Sequence, residues 1–260
     1  MNLGLEGKVA LVTGGSHGIG RGIALTLARE GCRVAICARR KDRVDAVVGE
    51  ITGARGEAIG IEGDVTRADD VDRVVASVVA AWGTIDILVN NAGGGGRWGR
   101  ETVEDTPEAV WHDVYEKNAV AAMRFTMRAL PYMRAQRWGR VITITSCFGR
   151  EGGGRPWFNM AKTAQTSLMK SLALRHDLAR DGVTFNSVAP GAIMIPDTGW
   201  EAERDRDPAA FAARLDREFP LGRLGTPDEV AYVVAMVCSP HAGLINGAAI
   251  AVDGGETRSF

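Results

Sequence analysis

A regular alternation of short apolar runs with longer segments of helical periodicity constrains the fold of this chain more than any other feature. The apolar runs lie at residues 9–12, 34–37, 58–61, 85–89, 141–144, 183–188 and 248–252. Runs of this kind are typical of parallel strands that are buried on both faces. The pattern therefore predicts one α/β domain over residues 1–260, with a doubly wound parallel sheet and helices on both faces.

A glycine-rich turn joins the first apolar run to a helical segment. Gly14, Gly18 and Gly20 stand at this turn, and apolar residues at 19, 23 and 27 follow at helical spacing. Phosphate oxygens can approach backbone N–H groups where such a turn opens a helix. The turn therefore predicts a dinucleotide site in a Rossmann-type sheet, although an ordinary strand-to-helix turn would look similar. The candidate contacts are Gly14, Ser16, His17, Gly18, Ile19 and Gly20.

The end of the second apolar run indicates which dinucleotide is preferred. Arg39 and Arg40 follow this run, and no carboxylate is present there to bind a ribose 2′-hydroxyl. A guanidinium suits a 2′-phosphate, so the sequence favours NADP(H) over NAD(H). The alternative is that both arginines are solvated residues at the start of a helix.

Further polar residues and glycines follow at intervals that resemble one known family. They are Asn90-Asn91-Ala92-Gly93, then Asn118, then Ser146 and Lys162, and finally Pro190-Gly191. In this order the sequence resembles the classical short-chain dehydrogenase/reductase (SDR) family over nearly its whole length. The resemblance implies hydride transfer between NAD(P)(H) and a carbonyl or alcohol, with Asn, Ser, Tyr and Lys as the catalytic residues.

The resemblance also implies cofactor contacts beyond the glycine turn. Asp64 and Val65 correspond to the adenine contact, and the turn at 91–93 to the one beneath the adenosine ribose. The backbone of the segment from Pro190 to Ile193 corresponds to the one that meets the nicotinamide carboxamide. The residues implied are Asp64, Val65, Asn91, Ala92, Gly93, Lys162, Pro190, Gly191 and Ile193. Two alternatives stay open, because Asp64 also suits the N-cap of a helix starting near Arg67, and Asn91 also suits a residue that holds the sheet.

The catalytic set implied by the resemblance is incomplete. Ser146 should bind the substrate oxygen at the carboxyl end of its strand. Lys162 should hold the nicotinamide ribose and lower the pKa of a tyrosine one turn earlier, and Asn118 should steady a water linked to Lys162. Phe158 occupies the position of that tyrosine and has no proton to donate, so the general acid is missing. No other tyrosine is an obvious replacement, and Tyr232 is expected in a core-facing stripe.

Three explanations of Phe158 remain open. It is an engineered substitution that traps substrate in an otherwise complete enzyme, or it belongs to a natural enzyme. A natural enzyme would take its proton from water held by Lys162 and Asn118, or reduce a conjugated C=C bond. In the third explanation the chain binds NADP(H) without turnover and serves a regulatory or scaffold role.

Composition narrows the expected partners. A net charge of −1 with scattered arginines gives no electrostatic basis for binding nucleic acid. No apolar run reaches membrane-spanning length and no secretory leader precedes the first strand, so no membrane partner and a cytoplasmic location are expected. The four cysteines lack metal-ligand spacing, which predicts free thiols and no metal site.

The remaining expectations concern substrate and assembly. Aromatic residues in the loops after the fourth and fifth runs favour a small, ring-bearing or apolar substrate, and arginines in the same loops permit a carboxylate or phosphate on it. An excursion at about residues 194–220 is interpreted as a helical lid over the substrate. The family resemblance implies a homotetramer, with contacts through helices near 107–136 and 157–180 and through residues 248–260.

Overall fold

The computed structural model describes residues 2–259. Met1 and Phe260 lie outside the described residues. The predicted domain includes both of them, and the predicted subunit contact through residues 248–260 includes Phe260. All seven apolar runs form strands of one sheet, so the predicted parallel sheet is confirmed. The strands are β1 Val9–Thr13, β2 Arg33–Ala38, β3 Glu57–Glu62, β4 Ile87–Asn90, β5 Gly139–Ile144, β6 Val183–Pro190 and β7 Ala249–Val252.

Helices alternate with these strands. They are α1 Gly18–Arg29, α2 Lys41–Gly53, α3 Ala68–Trp82, α4 Glu108–Tyr115, α5 Ala121–Ala135, α6 Pro156–Ala173, α7 His176–Arg180, α8 Gly199–Arg206, α9 Pro208–Glu218 and α10 Pro227–Cys238. A π-helical turn, Glu116–Val120, joins α4 to α5. The long helix predicted from near Pro107 is therefore one continuous helical path with a widened turn in the middle.

The strand order identifies the place where a ligand should bind. Neighbouring strands are parallel and follow the order β3-β2-β1-β4-β5-β6-β7. The order reverses between β1 and β4, where Ala10 lies opposite Ile87. Ligands of doubly wound sheets bind outside the carboxyl ends of the strands at such a switch point. The glycine turn follows β1 and Asn91 follows β4, so both predicted cofactor segments meet there.

Separate apolar clusters lie on the two faces of the sheet. Helices α1, α2 and α10 cover one face with buried residues that include Ile23 and Val234. Helices α3, α5 and α6 cover the other face, where Val74 and Phe125 are buried. Helices on both faces agree with the prediction from apolar periodicity.

Tyr232 does not belong to the core-facing stripe of α10. Val230 and Val234 are fully buried, whereas Tyr232 is 63% exposed. Residues two positions apart on a helix do not share a face, and this places the tyrosine on the solvent side. The prediction for Tyr232 is therefore wrong.

The excursion after β6 is helical, as predicted. Helices α8 and α9 occupy most of it, and Phe211, Phe219 and Leu224 form a small buried cluster with the Trp200 ring against it. The Arg97 guanidinium, from the loop after β4, lies 4.9 Å from the centroid of the Trp200 ring. The helical excursion therefore contacts the loop on the opposite side of the cleft. Within residues 2–259, none of the helices combines the length and apolar character needed to cross a bilayer.

Candidate active site

A cleft of about 940 Å³ opens at the carboxyl ends of the strands. Nearly all of the predicted site residues line it, and two do not. Those in its wall are Gly14, Ser16, His17, Gly18, Ile19, Gly20, Arg39, Arg40, Asp64, Val65, Asn91, Ala92, Gly93, Ser146, Phe158, Lys162, Pro190 and Gly191. Segments far apart in sequence thus form one continuous cavity.

Asn91 and Thr13 hold the glycine turn against β4. The Asn91 amide donates to Thr13 O at 2.9 Å and to Gly14 O at 3.1 Å. In return, Thr13 Oγ1 accepts from the backbone N–H groups of Asn91 and Ala92, both at 3.0 Å. Gly14 has φ +64°, and a Cβ there would lie 2.9 Å from Ala92 Cα, so the close approach requires glycine. Asn91 therefore joins β1 to β4 at the switch point, as expected for a residue that holds the sheet.

Arg39 and Arg40 differ in their surroundings. Both are exposed at the end of β2. Arg40 pairs with Asp42 at 2.7 Å, whereas Arg39 forms no ion pair within residues 2–259. The Arg39 guanidinium is therefore the one that remains available to an anion in the cleft.

Asp64 does not cap helix α3. Its Oδ1 accepts from Thr66 N at 3.0 Å and from Thr66 Oγ1 at 2.8 Å, while α3 begins later with Arg67 as N-cap. The N-cap alternative for Asp64 is therefore wrong. The carboxylate instead stabilises the turn after β3 and faces the cleft.

Ser146 lies just beyond β5 and faces the cleft. Its Oγ accepts from Phe148 N at 3.2 Å, which caps the short 3-10 turn Cys147–Gly149. Cys147 Sγ lies 3.7 Å from the same oxygen, and burial raises the pKa of this thiol to about 11. Because the backbone N–H uses the oxygen only as an acceptor, the Ser146 hydroxyl hydrogen can be donated to a ligand in the cleft.

Lys162 points inward from α6. Its ammonium donates to Ile144 O at 3.0 Å, and the residue as a whole is 5% exposed. Burial is the cause that lowers the pKa of Lys162 from 10.5 to about 7. Phe158 lies one helical turn earlier, and its ring centroid is 5.6 Å from Lys162 Nζ. The ring therefore stands beside a buried amine that changes protonation near neutral pH.

Asn118 lies behind the wall of the cleft. Its side chain is fully buried, accepts from Gly94 N at 3.1 Å and donates to Gly94 O at 2.8 Å. A Cβ at Gly93 would collide with Asn118 Oδ1, so the turn after β4 must carry glycine there. The Asn118 side chain therefore shapes the loop, and it contributes no surface to the cavity.

The backbone carbonyl of Asn118 has a partner that sequence reasoning missed. Gln165 Nε2 donates to Asn118 O at 3.0 Å. Gln165 is 1% exposed, and its own Oε1 has no hydrogen-bond partner within the described chain. A polar residue on the buried side of α6 was the signal available in the sequence.

The segment after Pro190 is only partly in the cleft. Pro190 and Gly191 line it, but Ile193 is 6% exposed and packs into the core cluster beneath. A bridge pairs Ile193 with Gly225, and the contact from the backbone of this segment to the nicotinamide stays a prediction. Sequence reasoning also missed Glu256, whose Oε2 accepts from Ala192 N at 2.7 Å.

Several cleft residues were outside the predicted set. They include Arg43, Asp113, Lys117, Thr145, Ile195 and Thr198. Their positions depend on how the loops after β4 and β6 fold back over the strand ends, which local periodicity does not encode. Among residues 2–259, no group of three or more His, Cys, Asp or Glu side chains is placed to hold a metal ion.

Comparison with known proteins agrees with this geometry. A family profile described as enoyl-(acyl carrier protein) reductase matches residues 14–257. The chain belongs to the classical SDR family. The expected family is confirmed.

Similar SDRs include characterised enzymes. The chain is 36% identical over 255 residues to a 3-oxoacyl-(acyl-carrier-protein) reductase of Staphylococcus epidermidis, covering 95% of this chain and 98% of that protein. It is 38% identical over 277 residues to a cyclohexanol dehydrogenase of Rhodococcus sp., covering 99% of each.

Solved SDR structures superpose over nearly the whole chain. L-sorbose reductase of Gluconobacter frateurii, complexed with NADPH and L-sorbose, has a TM-score of 0.91 at 31% identity and covers 100% of both chains. A variant of actinorhodin polyketide ketoreductase with NADPH has a TM-score of 0.87 at 34% identity, covering 96% of this chain and 97% of that one. These similarities establish an SDR oxidoreductase fold.

Proposed function

We propose that this SDR is an NADP(H)-dependent oxidoreductase that transfers hydride between the nicotinamide and a carbonyl or alcohol substrate. One observation carries the proposal. The cavity that contains the glycine turn also contains Ser146, Phe158 and Lys162, so dinucleotide and substrate fit in a single cleft. Hydride transfer requires the two reactants to be held in contact, which such a cleft provides.

The preference for NADP(H) rests on the end of β2. Arg39 is exposed, lines the cleft and is free of an ion pair among the described residues, while Arg40 is engaged with Asp42. His17, in the glycine turn, is a further polar group in the same wall. Two SDRs of similar structure were solved with NADPH, which supports the same choice here.

The cofactor, when bound, supplies or accepts the hydride. Ser146 donates a hydrogen bond to the substrate oxygen and so stabilises the negative charge that develops there during reduction. The Phe158 ring is apolar and transfers no proton. Lys162, whose pKa is about 7 through burial, is present as both ammonium and amine at neutral pH. It releases the proton that the alkoxide requires, through a water molecule in the cleft.

Reduction of a conjugated C=C bond is a second candidate function. Phe158 favours it, because the carbanion formed by hydride addition is protonated at carbon and needs no phenol at this position. The family profile that matches this chain is also described as an enoyl-(acyl carrier protein) reductase. A non-catalytic NADP(H)-binding role would instead leave the dinucleotide bound without turnover of either substrate class.

NADPH oxidation with matched panels of ketones and enones tests the proposal. We expect turnover by the unmutated chain that falls as pH rises through about 7, since Lys162 loses its proton there. Lys162→Met should abolish it, and Lys170→Met, at an exposed position on the same helix, should not. Turnover of enones alone would favour the second candidate. Tight NADPH binding without turnover of either panel would contradict an enzymatic role.

The proposal extends to assembly, location and the lid. Exposed apolar residues lie on α5 and α6, at Met127 and Met160, and on α10, at Tyr232 and Met236. Burying these exposed faces in two kinds of subunit contact would form a homotetramer, which sedimentation at micromolar concentration would test. The four free, buried cysteines suit a reducing, cytoplasmic location.

Helices α8 and α9 act as the lid, held across the cleft by Arg97.

A further inference from the structure

Lys117 places a half-buried ammonium in the wall of the cleft. The residue lies in the π turn Glu116–Val120 and lines the same cavity as Arg39 and Asp64. Its Nζ is 4.8 Å from the centroid of the Trp98 ring. A cation held over an aromatic face in this way has a defined position without a carboxylate partner.

The charges around Lys117 do not neutralise it. Its neighbour Glu116 pairs with Arg124 instead, and no carboxylate within residues 2–259 forms an ion pair with Lys117. The pKa of Lys117 is lowered, first by burial and then by the positive charge of Arg39, while Asp64 acts in the opposite direction. Two cations that face one cleft, one of them half buried, are unfavourable in the free protein. An anion bound in the cleft would make both favourable.

We infer that Lys117 binds a phosphate oxygen of the dinucleotide and forms, with Arg39, an anion site in the cofactor cleft. This inference rests on the proposed binding of NADP(H). Phosphate is the shared chemistry of the cofactor's 2′-phosphate and its pyrophosphate. A lysine ammonium binds such a group as a point charge, which requires no fixed bidentate geometry.

Titration of NADPH and NADH against Lys117→Met tests the inference, with Lys170→Met as the control that removes an exposed lysine of α6. Loss of a charge-assisted contact should weaken binding at least about tenfold. Weaker binding of NADPH alone identifies the 2′-phosphate, and equal weakening of both dinucleotides identifies the pyrophosphate. Unchanged affinity for both, in a protein that binds NADPH, overturns the inference and leaves the proposed function intact. Failure of the unmutated chain to bind either dinucleotide overturns both.

Two further measurements separate charge from shape. Lys117→Arg keeps the charge and should retain most of the affinity, whereas an equal loss in the Arg and Met variants would overturn the inference. The free Lys117→Met protein should unfold at the same temperature as the unmutated protein or higher, because an uncompensated half-buried charge has been removed.

Discussion

The Lys162 ammonium lies 5.6 Å from the centroid of the Phe158 ring, one turn away on the same helix. A buried cation that donates a hydrogen bond to Ile144 O thus faces a hydrocarbon, at the position where the family resemblance predicts a phenol. The ring fills space and offers no proton. This relationship between the two residues underlies the proposed chemistry of the site.

Removing Arg39 should abolish the preference for NADPH. The guanidinium lines the cleft without an ion pair among the described residues, and a charge-assisted bond of this kind contributes about 1.5 to 3 kcal/mol. Binding titrations of Arg39→Ala should therefore give similar affinities for NADPH and NADH. Arg40→Ala is the matched control and should have a smaller effect, since Arg40 already pairs with Asp42. Equal affinities for both cofactors in the unmutated chain would refute the assignment.

Replacing Asn118 by Leu should destabilise the fold. The buried amide pairs with the N–H and the C=O of Gly94 and donates to the buried Val114 O at 2.7 Å, and a buried group left unpaired costs about 1 to 3 kcal/mol. Urea unfolding should show the loss. Asn159→Ala provides a control, because Asn159 donates to Glu151 O in a partly exposed setting where water can replace it. Equal losses in the two variants would contradict a special role for the Gly94 contact.

The pKa of Lys162 predicts a pH-dependent term in stability. Burial lowers this pKa from 10.5 to about 7, so between these values the unfolded chain binds a proton that the folded chain does not. This group therefore makes the folded protein more stable as pH rises across that window. The Lys162→Met variant lacks this titratable group. The free energy of unfolding of the variant minus that of the unmutated chain should therefore be highest at about pH 7 and below and decrease toward about pH 10. A difference in the free energy of unfolding that does not vary with pH would show that the pKa of Lys162 is not lowered in the folded protein.

The sequence predicted the scaffold well for a physical reason. Strands buried on both faces must be apolar throughout, and amphipathic helices must repeat their apolar residues, so both elements are visible along the chain. Seven strands and the helical excursion after β6 were predicted in this way. Tyr232 was misassigned because proximity to a valine stripe was taken for membership of it, although its helical phase places it on the opposite side.

The site was less predictable where contacts join distant segments. Three residues of the site contact groups that are far away in the sequence or lie in a loop, and no local spacing identifies them. They are Gln165, Glu256 and Lys117. The glycine turn and Ser146 were found because strand ends in a parallel sheet converge by topology, whereas Lys162, on helix α6, was found through the family resemblance.

Comparison of the unmutated chain with Phe158→Tyr tests the central claim, that this is an SDR site lacking only its phenolic acid. Titration should first show that both proteins bind NADPH equally, since the ring volumes are similar. Initial rates of NADPH oxidation with the same ketone should then be higher in the Tyr variant by about 10² or more, the usual contribution of a positioned general acid. Equal NADPH binding with no gain in the rate of ketone reduction would contradict the claim.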